Sequence, residues 1–294
     1  MVSSFLDSPV SFPSGSDLLQ GIISQPQESY NTAVIIVVGG PQFRVGSHRQ
    51  FVLLARYLAS HGVLALRFDY AGMGYSAGRP KKFFEVDQDI NAATKFVNEN
   101  FPNITRIFLW GLCDAASAIL FTAYTDQRIN GIIIANPWVR SEASHSEAVL
   151  KNYYRDRIFS WDVWKELLSS PRKILNAMIS LANVCFKVVM NIFRASKAKQ
   201  QSINEITQNA RQNNLAASVL EGMSRFKGPI CLLLSEQDLT ADEFRRVFES
   251  SDWLHDADNE KKIAIYKLEG VDHTFSSAAW RARVEQITKD FVCA

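Results

Sequence analysis

Cys113 is the residue whose surroundings most favour nucleophilic chemistry in this sequence. It lies in the run Gly111-Leu112-Cys113-Asp114-Ala115, between a short apolar stretch and an alanine-rich stretch. A Gly-x-Cys-x-Ala run in this place is typical of a nucleophile elbow, a tight strand-to-helix turn that exposes its central residue at the end of a sheet. The alternative is a buried cysteine at an ordinary strand–helix junction, because free cysteine is among the most buried residue types.

A base and an acid for this nucleophile lie farther along the chain. An activated nucleophile needs a base, and the base needs a group that orients it. Asp238 and His273 each follow a late apolar stretch, in the order nucleophile, acid, histidine that such a triad takes in proteins with a nucleophile elbow. Each residue alone is more typical of a turn or a surface loop, but together they predict a triad with Cys113. Glu236 and Asp242 are the alternatives for the acid.

Stabilisation of the transition state would need backbone N–H donors aimed at the developing oxyanion. The N–H of Asp114, at the start of the predicted elbow helix, is one candidate. The second is expected in the loop after the apolar run 33–38, where Pro41 has no N–H and Gln42 is therefore the candidate. The backbone of Gly40 would border the pocket there. The alternative is that this loop is only a tight turn.

Cysteine in place of serine determines which reactions are expected. The thiolate is the reactive form, and a helix N-terminus and a nearby imidazolium both favour it. The carboxylate of Asp114, directly after Cys113, would work against the thiolate if it pointed inward. The residues therefore predict attack on an ester or thioester through an acyl-thioester intermediate, followed by hydrolysis or by transfer of the acyl group to another acceptor.

Eight runs of strand type predict the sheet that would position these residues, and helical patterns lie between most of them. Alternating strands and helices predict a mostly parallel sheet with helices on both faces, here with an antiparallel pair at the front. The order of the runs and the place of the elbow predict an α/β-hydrolase fold. The strand runs are 10–12, 18–23, 33–38, 63–68, 106–110, 131–136, 229–235 and 262–268. The helical runs of this core are 48–60, 85–99, 114–124, 241–250 and 277–292, the first with a predicted Ser47–Gln50 capping box.

The segment 139–226 lacks strand-type runs and is rich in aromatic and basic residues. We interpret it as a helical cap inserted between the two parts of the hydrolase core, 1–138 and 227–294. Its aromatic side chains either line an acyl or aromatic pocket or bury the cap on the core. For its apolar stretch 178–193, the alternatives are a core helix, a homodimer surface and a shallow, peripheral membrane contact, because the stretch is too short and too interrupted to span a bilayer.

Composition excludes several classes of protein. The 294 residues carry a formal net charge of +2, so no basic face for nucleic acid is indicated. The four cysteines are far apart, and Cys231 lies in a strongly apolar run where a thiol is a small hydrophobe. Without a CxxC or Cys/His cluster we expect no metal, and no cofactor is indicated. No signal peptide is recognisable, so a reduced, cytoplasmic setting is expected.

Several motifs resemble one known family, the exosortase A system-associated hydrolase 1 family. They are the runs 38–51, 68–76, 111–117, 136–140 and 238–244. The resemblance spans nearly the whole chain and implies the α/β-hydrolase fold, a cysteine nucleophile, and a bacterial setting linked to exopolysaccharide and exosortase systems. A looser similarity is to dienelactone-hydrolase-type enzymes, which also combine an elbow cysteine with Asp and His. This sequence departs from the family pattern at Ala115, where glycine is common, and at Ala71 and Tyr75, where charged residues are frequent.

The predicted substrate is a small-molecule acyl ester or thioester. Gly40, Arg44, Trp138 and Arg140 lie in or next to the predicted pocket loops, and the two arginines are candidates for binding a carboxylate or uronic acid group. One alternative function is an acyltransferase that uses the same triad. Another is a catalytically idle hydrolase fold that serves as an interaction module through its cap.

Overall fold

The computed structural model describes residues 4–40, 42–140, 214–251 and 262–294. Met1–Val139 and Leu215–Ala294 form one compact unit, and Arg140–Asn214 form a second. Of the second unit, only its two end residues are among those described. The predicted cap is therefore mostly outside the described residues, as is the whole of its apolar stretch 178–193, and the boundaries 139–226 stay a prediction.

Eight strands form one sheet in the order β1-β2-β4-β3-β5-β6-β7-β8. β1 and β2 are an antiparallel hairpin, β2 is antiparallel to β4, and the remaining neighbours are parallel. This confirms the predicted eight-stranded, mostly parallel sheet with an antiparallel pair at the front. The strands are β1 (Phe5–Ser14), β2 (Asp17–Pro26), β3 (Thr32–Val37), β4 (Leu64–Asp69), β5 (Arg106–Leu112), β6 (Ile129–Ala135), β7 (Ile230–Gln237) and β8 (Ile263–Asp272).

The helices cover both faces of the sheet. One apolar cluster joins the sheet to α2, α3, α4 and α5, and the other joins it to α1 and α6. β3 and β4 are buried along their whole length, and the continuous apolar run of β3 matches a strand covered on two sides. The helices are α1 (Gln50–Ser60), α2 (Asp87–Asn100), α3 (Asp114–Thr122), α4 (Leu215–Arg225), α5 (Leu239–Glu249) and α6 (Ala278–Cys293).

Helix α4 lies within the segment that the sequence analysis assigns to the cap, yet it belongs to the compact unit of the sheet. Its residues Leu215, Val219 and Met223 recur at intervals of four and are buried in the cluster shared with α2, α3 and α5. The chain thus returns to the sheet with one helix before β7 begins.

The predicted capping box before α1 is wrong. Ser47–Arg49 form a short 3₁₀ turn, and the residue before α1 is Arg49, which has a left-handed φ of 61° and no side-chain capping bond. A capping box would need the Gln50 side chain to reach back to the backbone. Instead that side chain is 5% exposed, and its amide atoms have no hydrogen-bond partner in the described part of the chain.

Candidate active site

Cys113 occupies a strained turn between β5 and α3. Its backbone has φ 62° and ψ −124°, a conformation that residues other than glycine rarely adopt. The turn is closely packed: a Cβ added to Gly111 would lie 2.7 Å from the Ile119 side chain and 2.9 Å from the Ala115 backbone. Because Gly111 has no side chain, α3 can begin directly above the end of β5. The thiol is half-buried at this edge of the sheet.

The backbone of the elbow is fixed by the end of the neighbouring strand. The Cys113 N–H donates to the Ala135 carbonyl at 2.9 Å, and the Trp138 N–H donates to the Cys113 carbonyl at 3.2 Å. The Ser117 hydroxyl, one turn into α3, donates to the Trp138 carbonyl at 2.6 Å. The predicted substrate-binding residue Trp138 is therefore attached to the elbow through its backbone.

The register of β7 and β8 brings the acid and the histidine together. Gln237 pairs with Asp272 at the ends of these parallel strands, so the next residues, Asp238 and His273, leave the sheet side by side. His273 Nδ1 lies 2.7 Å from Asp238 Oδ2. The Asp238 carboxylate also caps α5 by accepting from the N–H groups of Thr240 at 3.0 Å and Ala241 at 3.3 Å, which fixes its orientation.

The imidazole of His273 contacts both other members of the predicted triad. A hydrogen bond with Asp238 and a second with Cys113 raise the pKa of His273 to about 10, against the opposing effect of burial. Since Nδ1 faces Asp238, Nε2 is the nitrogen left for the thiol. At neutral pH, His273 therefore carries a proton.

The two rival acids are engaged elsewhere. The Glu236 carboxylate accepts from the Gly270 N–H at 2.7 Å, and Asp242 forms an ion pair of 2.7 Å with Arg245. Of the three acids considered from the sequence, Asp238 is the one that bonds His273.

Asn136 is a supporting residue that the sequence analysis missed. It is fully buried with φ 45°, and its side chain accepts from the Ser235 N–H at 2.8 Å and donates to the His273 carbonyl at 3.4 Å. It thereby connects the ends of β6 and β7 to the histidine loop. The available signal was an asparagine directly before Pro137 at a strand end, where asparagine tolerates the left-handed region.

The loop after β3 lies against the elbow. The prediction that this loop supplies an oxyanion donor requires that position. The Asp114 carboxylate accepts from the Gly40 N–H at 2.7 Å and from the Ala115 N–H at 2.9 Å. Burial raises the pKa of Asp114, while these hydrogen bonds and the charge of His273 oppose the rise. The side chain of Gln42, the other predicted oxyanion residue, accepts from the Ser47 N–H at 3.3 Å within its own loop.

Arg44 is paired inside the protein. Its backbone N–H donates to Asp69 Oδ1 at 2.6 Å, its guanidinium forms an ion pair with the same carboxylate, and it lies 4.8 Å from the centre of the Tyr75 ring. Its side chain is 17% exposed. A role in substrate binding stays a prediction, as it does for Gly40, Trp138 and Arg140, the last of which belongs to the other compact unit.

Within the described ranges, no group of three or more His, Cys, Asp and Glu side chains could hold a metal ion. None of the helices described above is long and apolar enough to cross a membrane.

Comparison with known proteins identifies the superfamily. The profile of a family described as "Serine aminopeptidase, S33" matches residues 31–267. Over 92 residues the chain is 30% identical to the polyketide transferase grgF of a Penicillium species. That match covers 30% of this chain and only 31% of the length of that curated relative.

Solved structures confirm the predicted α/β-hydrolase fold. The α/β-hydrolase GrgF from Penicillium sp. sh18 aligns with a TM-score of 0.62 and 17% identity, over 97% of both chains. The esterase Pf2001 of Pyrococcus furiosus aligns with a TM-score of 0.61 and 16% identity, over 98% of this chain and 94% of that one. A dienelactone hydrolase from Anabaena variabilis aligns with a TM-score of 0.58 and 12% identity, over 97% and 96% of the two chains. At these identities the likeness establishes the fold alone.

Proposed function

Because the chain belongs to the serine aminopeptidase S33 family of α/β-hydrolases, we propose that it cleaves a carboxylic ester or thioester with Cys113 as nucleophile. In this proposal His273 is the base and Asp238 orients it. The observation that carries the proposal is the imidazole of His273, whose Nδ1 lies 2.7 Å from Asp238 Oδ2 and whose pKa is raised by Asp238 and by Cys113. The family description refers to serine, whereas this chain has cysteine at the elbow, so the chemistry proposed here is that of a thiolate.

Acylation begins with the resting pair of imidazolium and thiolate. The Cys113 sulfur attacks the carbonyl carbon of the substrate, and the carbonyl electrons move to oxygen. When the tetrahedral intermediate collapses, the bond to the leaving alkoxide or thiolate breaks, and His273 Nε2 donates its proton to that group. The products are a free alcohol or thiol and an acyl group bound to Cys113 as a thioester.

Deacylation needs His273 to act as a base, and the structure provides a reason why it would. The hydrogen bond and the charge of Cys113 are among the causes that raise the pKa of His273. Both disappear when the sulfur carries an acyl group, so the pKa of the imidazole falls towards the range of an effective general base. His273 then takes a proton from water, the hydroxide attacks the thioester, and the thiolate leaves with the carboxylic acid as product.

An acyltransferase is the second candidate, and one comparison favours it. The curated relative that is 30% identical over 92 residues is a polyketide transferase. In that case an acceptor other than water would attack the acyl-Cys113 intermediate. Product analysis with added alcohols, thiols and carbon nucleophiles distinguishes the two: free acid as the only product contradicts transfer.

Finer assignments rest on the sequence alone. The link to exosortase and exopolysaccharide systems rests on the motif resemblance, and the proposed cytoplasmic location rests on the cysteine usage. The helical cap over residues 139–226 rests on composition. The effect of Cys113 on the pKa of His273 counts against the alternative of an idle interaction module, since that alternative expects the two side chains to be apart.

The test is to trap the intermediate. Wild-type protein is mixed with p-nitrophenyl acetate, and nitrophenol release and protein mass are followed during the first turnover. We expect a burst of nitrophenol and one acetyl group on the peptide that contains Cys113. Cys113→Ala should abolish both, whereas Cys231→Ala, a matched change at a buried cysteine, should leave both intact. Equal acetylation of Cys113→Ala and wild type would contradict the proposal.

A further inference from the structure

Asp114 stands where a negative charge is chemically unfavourable, directly after the proposed nucleophile. A carboxylate next to a thiolate, and next to a developing oxyanion, destabilises both by like-charge repulsion. The first turn of a helix does favour an acid by its dipole, but any acid in that turn would have this benefit. The contacts of this side chain indicate a more specific role.

The carboxylate of Asp114 joins the elbow to the loop after β3. One oxygen accepts from the Ala115 N–H at 2.9 Å, within the elbow itself. The other accepts from the Gly40 N–H at 2.7 Å, across 74 residues of sequence. A Cβ added to Gly39 would lie 2.0 Å from the first of these oxygens, so the loop backbone contacts the carboxylate closely. A shorter or apolar side chain at this position could not make both bonds.

Gly40 is also held from its other side. The Tyr70 hydroxyl, in the loop after β4, donates to the Gly40 carbonyl at 3.4 Å. Tyr70 is 4% exposed, and burial together with the charges of Asp114 and Asp89 raises its pKa, which keeps the phenol in the donating form. Both peptide groups of Gly40, which has a left-handed φ of 59°, are thus fixed by side chains from two different loops.

We propose that Asp114 is a positioning residue that, with Tyr70, clamps Gly40 and thereby sets the direction of the oxyanion donor at Gln42. The clamp acts through the backbone: with the Gly40 N–H bound to Asp114, the donor left to the substrate is the Gln42 N–H that follows. This inference rests on the proposed function, because an oxyanion forms only if Cys113 attacks a carbonyl.

Two reactions of the Cys113 thiol distinguish a role of Asp114 in positioning the oxyanion donor from a purely structural role. Acylation by p-nitrophenyl acetate passes through an oxyanion, whereas alkylation by iodoacetamide displaces iodide at a saturated carbon and forms none. Asp114→Asn keeps the size of the side chain but leaves one of the two N–H groups facing an amide NH₂. Tyr70→Phe removes only the hydroxyl. Asp126→Asn and Tyr57→Phe are matched controls, because Asp126 accepts from the Arg128 N–H beyond the other end of α3 and the Tyr57 hydroxyl bonds Gln286 at the surface.

We expect Asp114→Asn to slow acylation of Cys113 about 10- to 100-fold and Tyr70→Phe about 3- to 10-fold, less than the loss of an oxyanion donor itself. The effect should fall on kcat with KM unchanged, because the donor is used in the transition state. Alkylation should proceed at the wild-type rate or faster, since Asp114→Asn removes a negative charge beside the thiolate. Both controls should match wild type in both reactions.

Three outcomes would overturn the inference. Acylation of both variants at the wild-type rate would show that Gly40 needs no clamp. A fall of acylation and alkylation by the same factor would assign Asp114 to the placement of Cys113 instead. If wild type is alkylated but never acylated at Cys113, the proposed function fails and the inference with it. Thermal melting of each variant checks folding, and Tyr70→Phe carries the test if Asp114→Asn does not fold.

Discussion

Two thiols of the same sheet, Cys113 and Cys231, have opposite environments. Cys113 follows β5 at the carboxyl edge, is half-buried and is one of the groups that raise the pKa of His273. Cys231 is the second residue of β7, is 0% exposed, and has its pKa raised to about 12 by burial alone. Only one strand, β6, separates β5 from β7. Residue type therefore does not set reactivity here.

The difference follows from where each residue lies along its strand. The interior of a sheet covered on both faces is dry and apolar, and Cys231, at the second position of β7, packs there in the cluster that contains Trp110 and Leu268. A thiolate there would be unsolvated and unpaired, which burial penalises. At the end of β5 the chain turns through a strained φ, and the same atom meets a histidine from the loop after β8. The following changes test which of these features separates the two thiols.

Removing the histidine should have the largest effect. In His273→Ala, Cys113 keeps its place at the elbow but loses the partner that stabilises the thiolate and protonates the leaving group. We expect kcat/KM for an ester to fall about 10³- to 10⁴-fold, the upper part of the range of general acid–base catalysis. Steady-state hydrolysis measures it, and His61→Ala, at a histidine that bonds the Tyr57 carbonyl at the end of α1, is the matched control. A loss below tenfold would mean that position alone makes Cys113 reactive.

Replacing the acid should have the next largest effect. Asp238→Asn keeps the size of the side chain and can still cap α5, because asparagine is as good an N-cap as aspartate. The substitution weakens the hydrogen bond between residue 238 and the imidazole, which is the largest cause of the raised pKa of His273. We expect kcat to fall about 10²- to 10³-fold, with the hydrogen bond to Cys113 still supporting the imidazole.

An NMR titration of the His273 ring provides the check on this second change. Its pKa should fall from about 10 in Asp238→Asn, while the melting temperature stays near that of wild type. A large drop in melting temperature with an unchanged pKa would assign Asp238 to the helix cap and not to the triad.

Much of this comparison was predictable from the sequence. The eight strand runs and the order cysteine, acid, histidine follow from local patterns, because each residue of the predicted triad comes directly after a strand. Cys231 was recognisable as a small hydrophobe by the apolar residues on both sides of it. Local periodicity is sufficient to predict the environment of a residue when that environment depends only on the residue's own strand.

Contacts between loops were not predictable in the same way. The bond from Gly40 to Asp114 and that from Asn136 to the His273 carbonyl join residues 74 and 137 positions apart. Each depends on which strand ends lie together in three dimensions. The failed capping box at Ser47 has a similar origin, because the burial of Gln50, the first residue of α1, overrides a local signal.

Alkaline pH should lower the esterase activity gradually, in contrast to the abrupt losses expected from the substitutions above. The pKa of His273 is raised from 6.5 to about 10, so the imidazolium is present below that value and is lost as pH rises through it. For alkyl esters, whose leaving group needs a proton, kcat/KM should fall about tenfold per pH unit above 10. Asp238→Asn should move this decline to lower pH. Circular dichroism at each pH controls for unfolding, and a rate that stays level to pH 11 would contradict the assigned role of the imidazolium.

The smallest effect on activity should come from Cys231→Ala. This change removes a buried sulfur from a packed cluster, so we expect about 1–2 kcal/mol less unfolding free energy, as for other small deletions in a core. Cys113→Ala should do the reverse, abolishing activity while changing stability by about 0.5 kcal/mol or less, because its sulfur is half-buried at the sheet edge. Urea denaturation and ester hydrolysis, measured on both variants, give the four values. If Cys231→Ala lost activity without losing stability, the division between a packing thiol and a reacting thiol would be wrong. If instead each change affects one property alone, strand position and the His273 contact together account for the difference between the two thiols.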